Sequence, residues 1–367
     1  MRSTYASSPG DRRHAGRLLQ AEFMGVHRKM PRVTWAVIGA TGMIGTKAVP
    51  DGIMAAENCG LVAVQGLNKA DVLPLAEKWG VPGYTSAEEM LKSTTCDAVY
   101  VASPQDVHLE HVKMCVAHGR QVLCEKPLAC NGEEAREMVE ICARAGLRLG
   151  TAFNLRFNTL HVKARELISS GVIGKVVSAR CQYGQNYPPD RRSFRQIEAL
   201  AGGGSMIDMG NHAMDLVEFV TGKKFKHVLA VRQNVVHDYE VEDACAALLE
   251  FVDGGCALVD TYYCVPLNLL RNDLEVNGSG GVLYTVDTLR GMATGGKLVV
   301  VTEAARDEYQ FSGVDMYRAE FEAFAAAVLN GMEPPCNGRD GLHSQRLIDA
   351  CYASARLERK IEIIDDY

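Results

Sequence analysis

The sequence predicts an α/β protein in two parts. The first is a doubly wound, mostly parallel sheet. The second is an α+β domain with a large open, mostly antiparallel sheet. Three observations predict this. Up to about residue 153, short apolar β-rich runs alternate with helical stretches, the pattern of a parallel sheet covered on both faces. A turn with three glycines follows directly on the first run. Beyond residue 153 the strands lengthen and are joined by Asp-Gly and Asn-Gly signals. At 367 residues, 47% hydrophobic and 23% charged, the chain has room for two substantial cores.

The elements follow in order. Strand 33–38 (Val33-Thr34-Trp35-Ala36-Val37-Ile38) opens the first sheet, and a helix is expected over 43–57. Strand 61–64, helices 71–79 and 87–92, strand 97–102, helix 108–118, strand 121–124, helix 132–145 and strand 147–153 complete it. A helix over 159–170 opens the second part. Strands 244–252 and 256–264 flank Asp253-Gly254-Gly255, and strands 274–276 and 282–286 flank Asn277-Gly278-Ser279-Gly280-Gly281. Both connections suit turns that need positive φ. A helix over 205–221 precedes most of these strands, and helices 317–330 and 341–356 end the chain.

Residues 1–30 are polar and carry Arg12-Arg13 without the apolar segment of a twin-arginine signal. They read as a disordered extension, and Met30 is a second candidate start. The formal charge of −6 gives no reason to expect binding to nucleic acid or an anionic membrane. No apolar run reaches the roughly 20 residues of a bilayer span. The 12 cysteines form no Cys-x-x-Cys and no zinc-spaced cluster with histidine. Free thiols in a reducing cytoplasm are expected, and no metal.

The glycine turn is Gly39-Ala40-Thr41-Gly42-Met43-Ile44-Gly45. A strand, such a turn and a helix make a phosphate cradle. Gly39 allows the tight turn, Gly42 the approach of backbone to a pyrophosphate, and Gly45 close helix–strand packing. The spacing is G-x-x-G-x-x-G, one residue longer around Thr41 than the usual G-x-G-x-x-G. An acid normally ends the second strand of an NAD site. Here the run is Val64-Gln65-Gly66-Leu67-Asn68-Lys69, with Gly66 in that place. Lys69 is a candidate for a 2'-phosphate, or simply a solvated lysine, so NAD and NADP both stay open.

Strand 121–124 runs into Cys124-Glu125-Lys126-Pro127-Leu128. Lys126 then lies outside the carboxyl end of a strand, where open α/β sheets bind ligands, and Pro127 biases it toward an extended backbone. Further on stands Gly202-Gly203-Gly204-Ser205-Met206-Ile207-Asp208-Met209-Gly210-Asn211-His212. Ser205 is a candidate N-cap and Asp208 the acidic end of its capping box. Asp208, His212 and Asp215 fall at i, i+4 and i+7 and share one helix face.

In this order, the glycine turn, the Glu-Lys-Pro motif and the G-G-G-x-x-x-D-x-G-x-H-x-x-D stretch resemble the Gfo/Idh/MocA family of NAD(P)-dependent sugar and polyol dehydrogenases. Ala102-Ser103-Pro104 with His108, Phe153-Asn154-Leu155-Arg156-Phe157-Asn158, Val241-Glu242-Asp243, Leu274-Glu275-Val276-Asn277-Gly278 and Leu347-Ile348-Asp349-Ala350-Cys351-Tyr352 are similar as well. The resemblance implies a Rossmann dinucleotide-binding domain over 31–153 and a substrate-binding and oligomerisation domain over 154–367. The last helices are expected to be able to pack back on the first domain. It implies Lys126 beside the nicotinamide and the reacting hydroxyl, His212 as general base and Asp208 as its partner. Gly39, Thr41, Gly42, Met43, Ile44, Asn68, Ser103, Pro104, His108 and Glu125 are then assigned to the cofactor. Asn154 and Arg156 join the trio at the substrate, although Arg156 reads equally as an interdomain structural residue. Tyr183, Tyr187, Arg191, Arg195 and Tyr262 are further candidates for the pocket. The expected activity is oxidation of a secondary hydroxyl of a sugar, glycoside or cyclitol, by a homodimer or homotetramer in the cytoplasm. Two rivals remain: transient oxidation that cleaves a glycoside, and a non-catalytic dinucleotide sensor.

Overall fold

The computed structural model of the protein describes residues 31–189, 193–289, 295–311, 313 and 315–364. The extension expected over 1–30, and Arg191, lie outside them.

The first sheet is made of runs buried on both faces. Strands β1 (Val33–Ile38), β2 (Cys59–Gln65), β3 (Gly83–Tyr84), β4 (Ala98–Val101), β5 (Gln121–Glu125) and β6 (Leu149–Ala152) lie in the order β3-β2-β1-β4-β5-β6. Every pair is parallel. The order reverses between β1 and β4, so the crevice beyond their carboxyl ends is the natural ligand position. Between the strands run α1 (Gly45–Ala48), α2 (Lys69–Trp79), α3 (Ala87–Ser93), α4 (His108–Ala117) and α5 (Gly132–Arg144).

The helix expected over 43–57 is corrected to the single α turn of α1 and a π turn, Val49–Ile53. Pro50 has no N–H to continue the α ladder. The Met54 N–H instead reaches Val49 O, five residues back, at 2.9 Å.

Helix α6 (Thr159–Ser169) leads into the second sheet through β7 (Val176–Gly184). Short α7 (Glu198–Ala201), the π turn Met206–Gly210 and α8 (Asn211–Thr221) come next. Then follow β8 (Phe225–Gln233), β9 (Ala244–Phe251), β10 (Cys256–Tyr262), β11 (Asp273–Gly278), β12 (Gly281–Val286), β13 (Lys297–Thr302) and β14 (Arg306–Gln310). With β15 (Ile361–Glu362) they form the order β14-β13-β12-β11-β7-β10-β9-β8-β15, antiparallel except where β7 meets β10. Strands β7, β8, β13 and β14 have no counterpart among the expected strands. The Asp253 turn is left-handed at Gly254 and Gly255, φ +91° and +89°. Gly278 is not left-handed. It is needed for close approach, because a Cβ there would collide with the carbonyl of Ile173.

Helix α8 fills one face of this sheet and is buried almost all round. The other face stays open, with Val177, Leu229, Val231, Leu248 and Leu258 exposed on it. In register, Leu258 faces Leu248 and Leu248 faces Leu229, one apolar row across three strands. The last helices, α9 (Met316–Leu329) and α10 (Gly338–Leu357), return to the parallel sheet. The Phe321 ring meets Trp35 and Tyr100 edge-on at 5.1 and 5.0 Å. Among the described residues no helix is long and apolar enough to cross a membrane. All twelve cysteines are free thiols.

Candidate active site

A cavity of about 430 Å³ opens beyond the carboxyl ends of β1, β4 and β5 and is walled on the far side by the second sheet. Its near wall starts at the glycine turn. Gly39 is left-handed at φ +81°, and a Cβ there would stand 2.6 Å from Ser103 N. The Gly39 N–H donates to Gln65 Oε1 at 3.1 Å and the Ala40 N–H to Gln65 O at 2.8 Å. The turn is thus pinned to the end of β2. Gly42, Met43 and Ile44 face the cavity, with Lys47 behind them. A backbone this close, with no Cβ in the way, fits a bound pyrophosphate. Gly39 and Thr41 shape the turn from behind rather than lining the cavity.

Ser103 and Pro104, after β4, form the next part of the wall. His108 does not line the cavity. It is buried between two cavity loops, with Nε2 2.8 Å from Ser103 O and Nδ1 3.1 Å from Leu128 O, and in its neutral form it donates to one of these carbonyls. Burial lowers its pKa. Asn68 is likewise outside the cavity. Its side chain caps α2, accepting from the Ala70 N–H at 2.9 Å.

Glu125 and Lys126 stand at the end of β5, and the Lys126–Pro127 peptide is cis. Glu125 is buried and accepts from the Tyr100 hydroxyl at 2.5 Å. Burial raises its pKa, against the hydrogen bond from Tyr100 and the charge of Lys126. Lys126 Nζ donates to Asp208 Oδ1 at 2.7 Å and to Asp208 O at 3.2 Å. On the other oxygen, Asp208 Oδ2 accepts from Arg195 Nε at 3.1 Å and from the Tyr263 hydroxyl at 2.9 Å. Burial alone would raise the Asp208 pKa. The charges of Lys126 and Arg195, with these hydrogen bonds, outweigh burial and hold the carboxyl well below the usual range.

This corrects the expected pairing of Asp208 with His212, because the carboxylate is already engaged by three other donors. His212 sits in the same cavity wall, between Phe153 and Tyr183 at ring distances of 6.2 and 5.7 Å. Its buried Nδ1 has no partner among the described residues. Burial first, then the charge of Lys126, pushes its pKa well below 6.5 despite Asp208. Both effects favour the neutral imidazole.

The capping box expected at Ser205 is also corrected. Ser205 is already helical, φ −63° and ψ −30°, and its hydroxyl meets Thr261 Oγ1 at 2.9 Å. The acceptor for this helix start comes from elsewhere in sequence. Buried Glu242 takes the Gly204 N–H at 3.0 Å, the Met206 N–H at 2.9 Å and the Tyr352 hydroxyl at 2.9 Å. A side chain at Gly203 would strike Tyr352, and one at Gly204 would strike the backbone of Glu242. The glycine run is therefore a packing requirement that sets where Asp208 and His212 begin.

Asn154 lines the cavity, and its buried Oδ1 is unpartnered among the described residues. It is an acceptor ready for a hydroxyl or amide of a ligand. Arg156 does not reach the cavity. Its guanidinium meets Asp215 through Nε at 3.1 and 2.9 Å and through Nη2 at 2.5 Å, and Asp340 at 3.2 and 3.1 Å. A planar fork between two carboxylates is spent on joining α8 to α10. Tyr183, Tyr187 and Arg195 line the cavity, and burial raises the Tyr187 pKa to about 12. Tyr262 does not; it is half-buried beside Asp260, and the next residue, Tyr263, points inward instead. Alternation along β10, inward at Ala257, Val259 and Thr261, is the signal that identifies Tyr263. Gln65, Gln185, Phe194, Met316 and Tyr317 carry no motif in the sequence. Among the described residues no group of histidines, cysteines and carboxylates is arranged to hold a metal ion.

The fold agrees with what the chain is similar to. Residues 33–153 match the oxidoreductase family with an NAD-binding Rossmann fold, and residues 161–284 match the GFO/IDH/MocA C-terminal domain. A D-xylose 1-dehydrogenase (NADP(+)) 2 from Haloferax volcanii is 30% identical over 336 residues, 90% of this chain and 99% of that protein. A myo-inositol 2-dehydrogenase from Thermotoga maritima is 27% identical over 88% of this chain and 98% of its own length. An aldose-aldose oxidoreductase from Caulobacter crescentus shares the fold, with a TM-score of 0.83 and 24% identity over 90% of this chain and 99% of that one. The chain belongs to the Gfo/Idh/MocA family of NAD(P)-dependent oxidoreductases.

The placement of Arg156 gives an expected outcome. Arg156→Ala leaves Asp215 buried without its cation and costs about 3–5 kcal/mol of stability, measured by urea unfolding. An unchanged unfolding midpoint with a raised KM would return Arg156 to the substrate.

Proposed function

We propose that the protein oxidises a secondary ring hydroxyl of a sugar, glycoside or cyclitol to a ketone, using Lys126 and His212. The observation that carries this reading is one cavity lined by the Lys126 ammonium, 2.7 Å from Asp208 Oδ1, and by the buried imidazole of His212. When bound, NAD or NADP supplies the nicotinamide carbon that accepts the hydride. The ammonium stabilises negative charge on the carbinol oxygen as its proton departs. His212, neutral at working pH, takes that proton. Lys126 is backed by Asp208, so it is a fixed cation rather than a mobile one. Asn154, Tyr183, Gln185 and Tyr187 offer neutral polar contacts around it, as a ring with several hydroxyls requires. The relatives described above are named for a sugar and for an inositol, which supports the same class. The twelve free thiols suit a reducing cytoplasm.

We also assign the open apolar row Leu229, Leu248 and Leu258 to contact with a second copy of the chain. Exposed contiguous apolar rows mark association surfaces. Leu248→Glu is expected to yield monomers in light scattering, from an oligomeric parent; a parent that is itself monomeric contradicts the assignment.

The catalytic pair is tested by substitution. His212→Ala lowers kcat by roughly 10²–10⁴-fold, the range for loss of a general base. Lys126→Ala is at least comparably damaging, and both variants still fold and bind NADH. The product of the parent enzyme is two hydrogens lighter than its substrate by mass spectrometry. Near-parental turnover in either variant contradicts the pair, and release of an aglycone without net reduction of the cofactor favours glycoside cleavage.

A further inference from the structure

Asp208 engages Arg195 through one nitrogen only. Arg195 Nε donates to Asp208 Oδ2 at 3.1 Å. The two terminal nitrogens, Nη1 and Nη2, make no hydrogen bond or ion pair among the described residues. Both stay open to solvent, and Arg195 lines the cavity. A guanidinium presents its N–H donors in a fixed fork. The end of that fork is left to whatever occupies the cavity.

The fork is held still. The guanidinium carbon lies 4.6 Å from the centre of the Phe194 ring and 5.7 Å from that of Tyr187. The backbone of Arg195 sits in a capped turn, Phe194–Gln196, where Ser193 Oγ accepts the Arg195 N–H at 3.3 Å. Gln196 Nε2 ties that turn to the carbonyls of Tyr187 and Pro188, each at 3.2 Å. A planar fork fixed in this way makes two parallel hydrogen bonds to a carboxylate with little left to order.

The protein offers no carboxylate to fill it. Among the described residues lining the cavity, the carboxylates are Asp208 and Glu125. Asp208 is committed to Lys126, Tyr263 and the Nε of Arg195 itself. Glu125 accepts from the Tyr100 hydroxyl on one oxygen and from the Lys126 N–H, at 3.1 Å, on the other. The polar neighbours Asn154, Tyr183, Gln185 and Tyr187 are neutral. A ring hydroxyl fills one arm of the fork. A carboxylate fills both and pairs the charge. Lys126 and Arg195 grip opposite oxygens of one carboxylate, so the reacting hydroxyl and the fork lie about one sugar ring apart.

We infer that Arg195 selects an anionic ring substrate: its Nη fork binds a carboxylate on the sugar, and hexuronic acids or their glycosides are preferred to neutral hexoses. The inference rests on the oxidation proposed above only for the reacting hydroxyl, and binding tests the carboxylate subsite without turnover. The full chain, saturated with NADH, is titrated by calorimetry with D-glucuronate, D-galacturonate and D-mannuronate, each against its parent hexose. Glucuronamide, of nearly the same shape as glucuronate but neutral, is the control for charge. At least one acid should bind about tenfold tighter than its hexose, the worth of a charge-assisted pair, and the amide should bind like the hexose. Oxidation with NAD or NADP should show the same preference in kcat/KM. Arg195→Lys keeps a cation beside Asp208 and loses the fork. It should lower the acid-to-hexose ratio about tenfold through KM for the acid, leaving KM for the hexose within about twofold. Hexoses that bind as tightly as every acid overturn the inference, as does failure of all three acids to bind. An unchanged acid-to-hexose ratio in Arg195→Lys overturns the role of Arg195. Preferred binding of an acid without oxidation of any ring hydroxyl contradicts the proposed reaction and upholds the carboxylate subsite.

Discussion

The carboxylate of Asp208 is shared by three donors from three separate parts of the chain. Lys126 comes from the end of β5, Arg195 from the loop after β7, and Tyr263 from just beyond β10. A buried carboxylate is tolerable only when its charge is paired and its lone pairs are filled. Here two cations and a hydroxyl meet that condition. The same contacts bring the carboxyl end of the parallel sheet to the face of the antiparallel one. The cavity exists where those two surfaces are drawn together.

The position of that carboxylate is set one layer further back. Glu242 and Tyr352 grip the glycine run, and the run admits no side chains at Gly203 and Gly204. The π turn Met206–Gly210 then starts at a fixed place, and His212 follows in the first turn of α8. Arg156, locked between Asp215 and Asp340, holds α8 against α10. The ammonium and the imidazole are thus carried on rigid supports from different domains. This is the preorganisation that charge stabilisation at a reacting oxygen requires.

Much of this was legible in the sequence, because motifs with local physics are legible. The parallel strands read as continuous apolar runs since both faces are covered. The Glu-Lys-Pro segment and the glycine run announced the two chain segments that meet. What was hidden depends on distant partners. Nothing near Ser205 shows that its capping role passes to Glu242. The pairing of Asp208 with Lys126 rather than His212 needs the two sheets in place. Strands β7 and β8 escaped because their open-face positions mix apolar and polar residues, such as Val177 with Arg180 and Leu229 with Arg232. Pro50 was visible, but its effect on the helix after the glycine turn depends on the packing of Phe321 against Gly52.

The ionisation of His212 reports which group Asp208 serves. If Asp208 is committed to Lys126, Arg195 and Tyr263, the imidazole gains little from it and stays neutral as pH falls below 6.5. If Asp208 were paired with His212, the folded-state pKa would instead be raised by the carboxylate. Nitrogen-15 NMR of histidine-labelled protein, with His212 assigned by its Gln variant, separates the two. With Asp208 committed to its three donors, His212 shows neutral imidazole shifts at pH 5.5, where an unperturbed histidine is mostly charged. A titration midpoint at or above about 6.5 would contradict it.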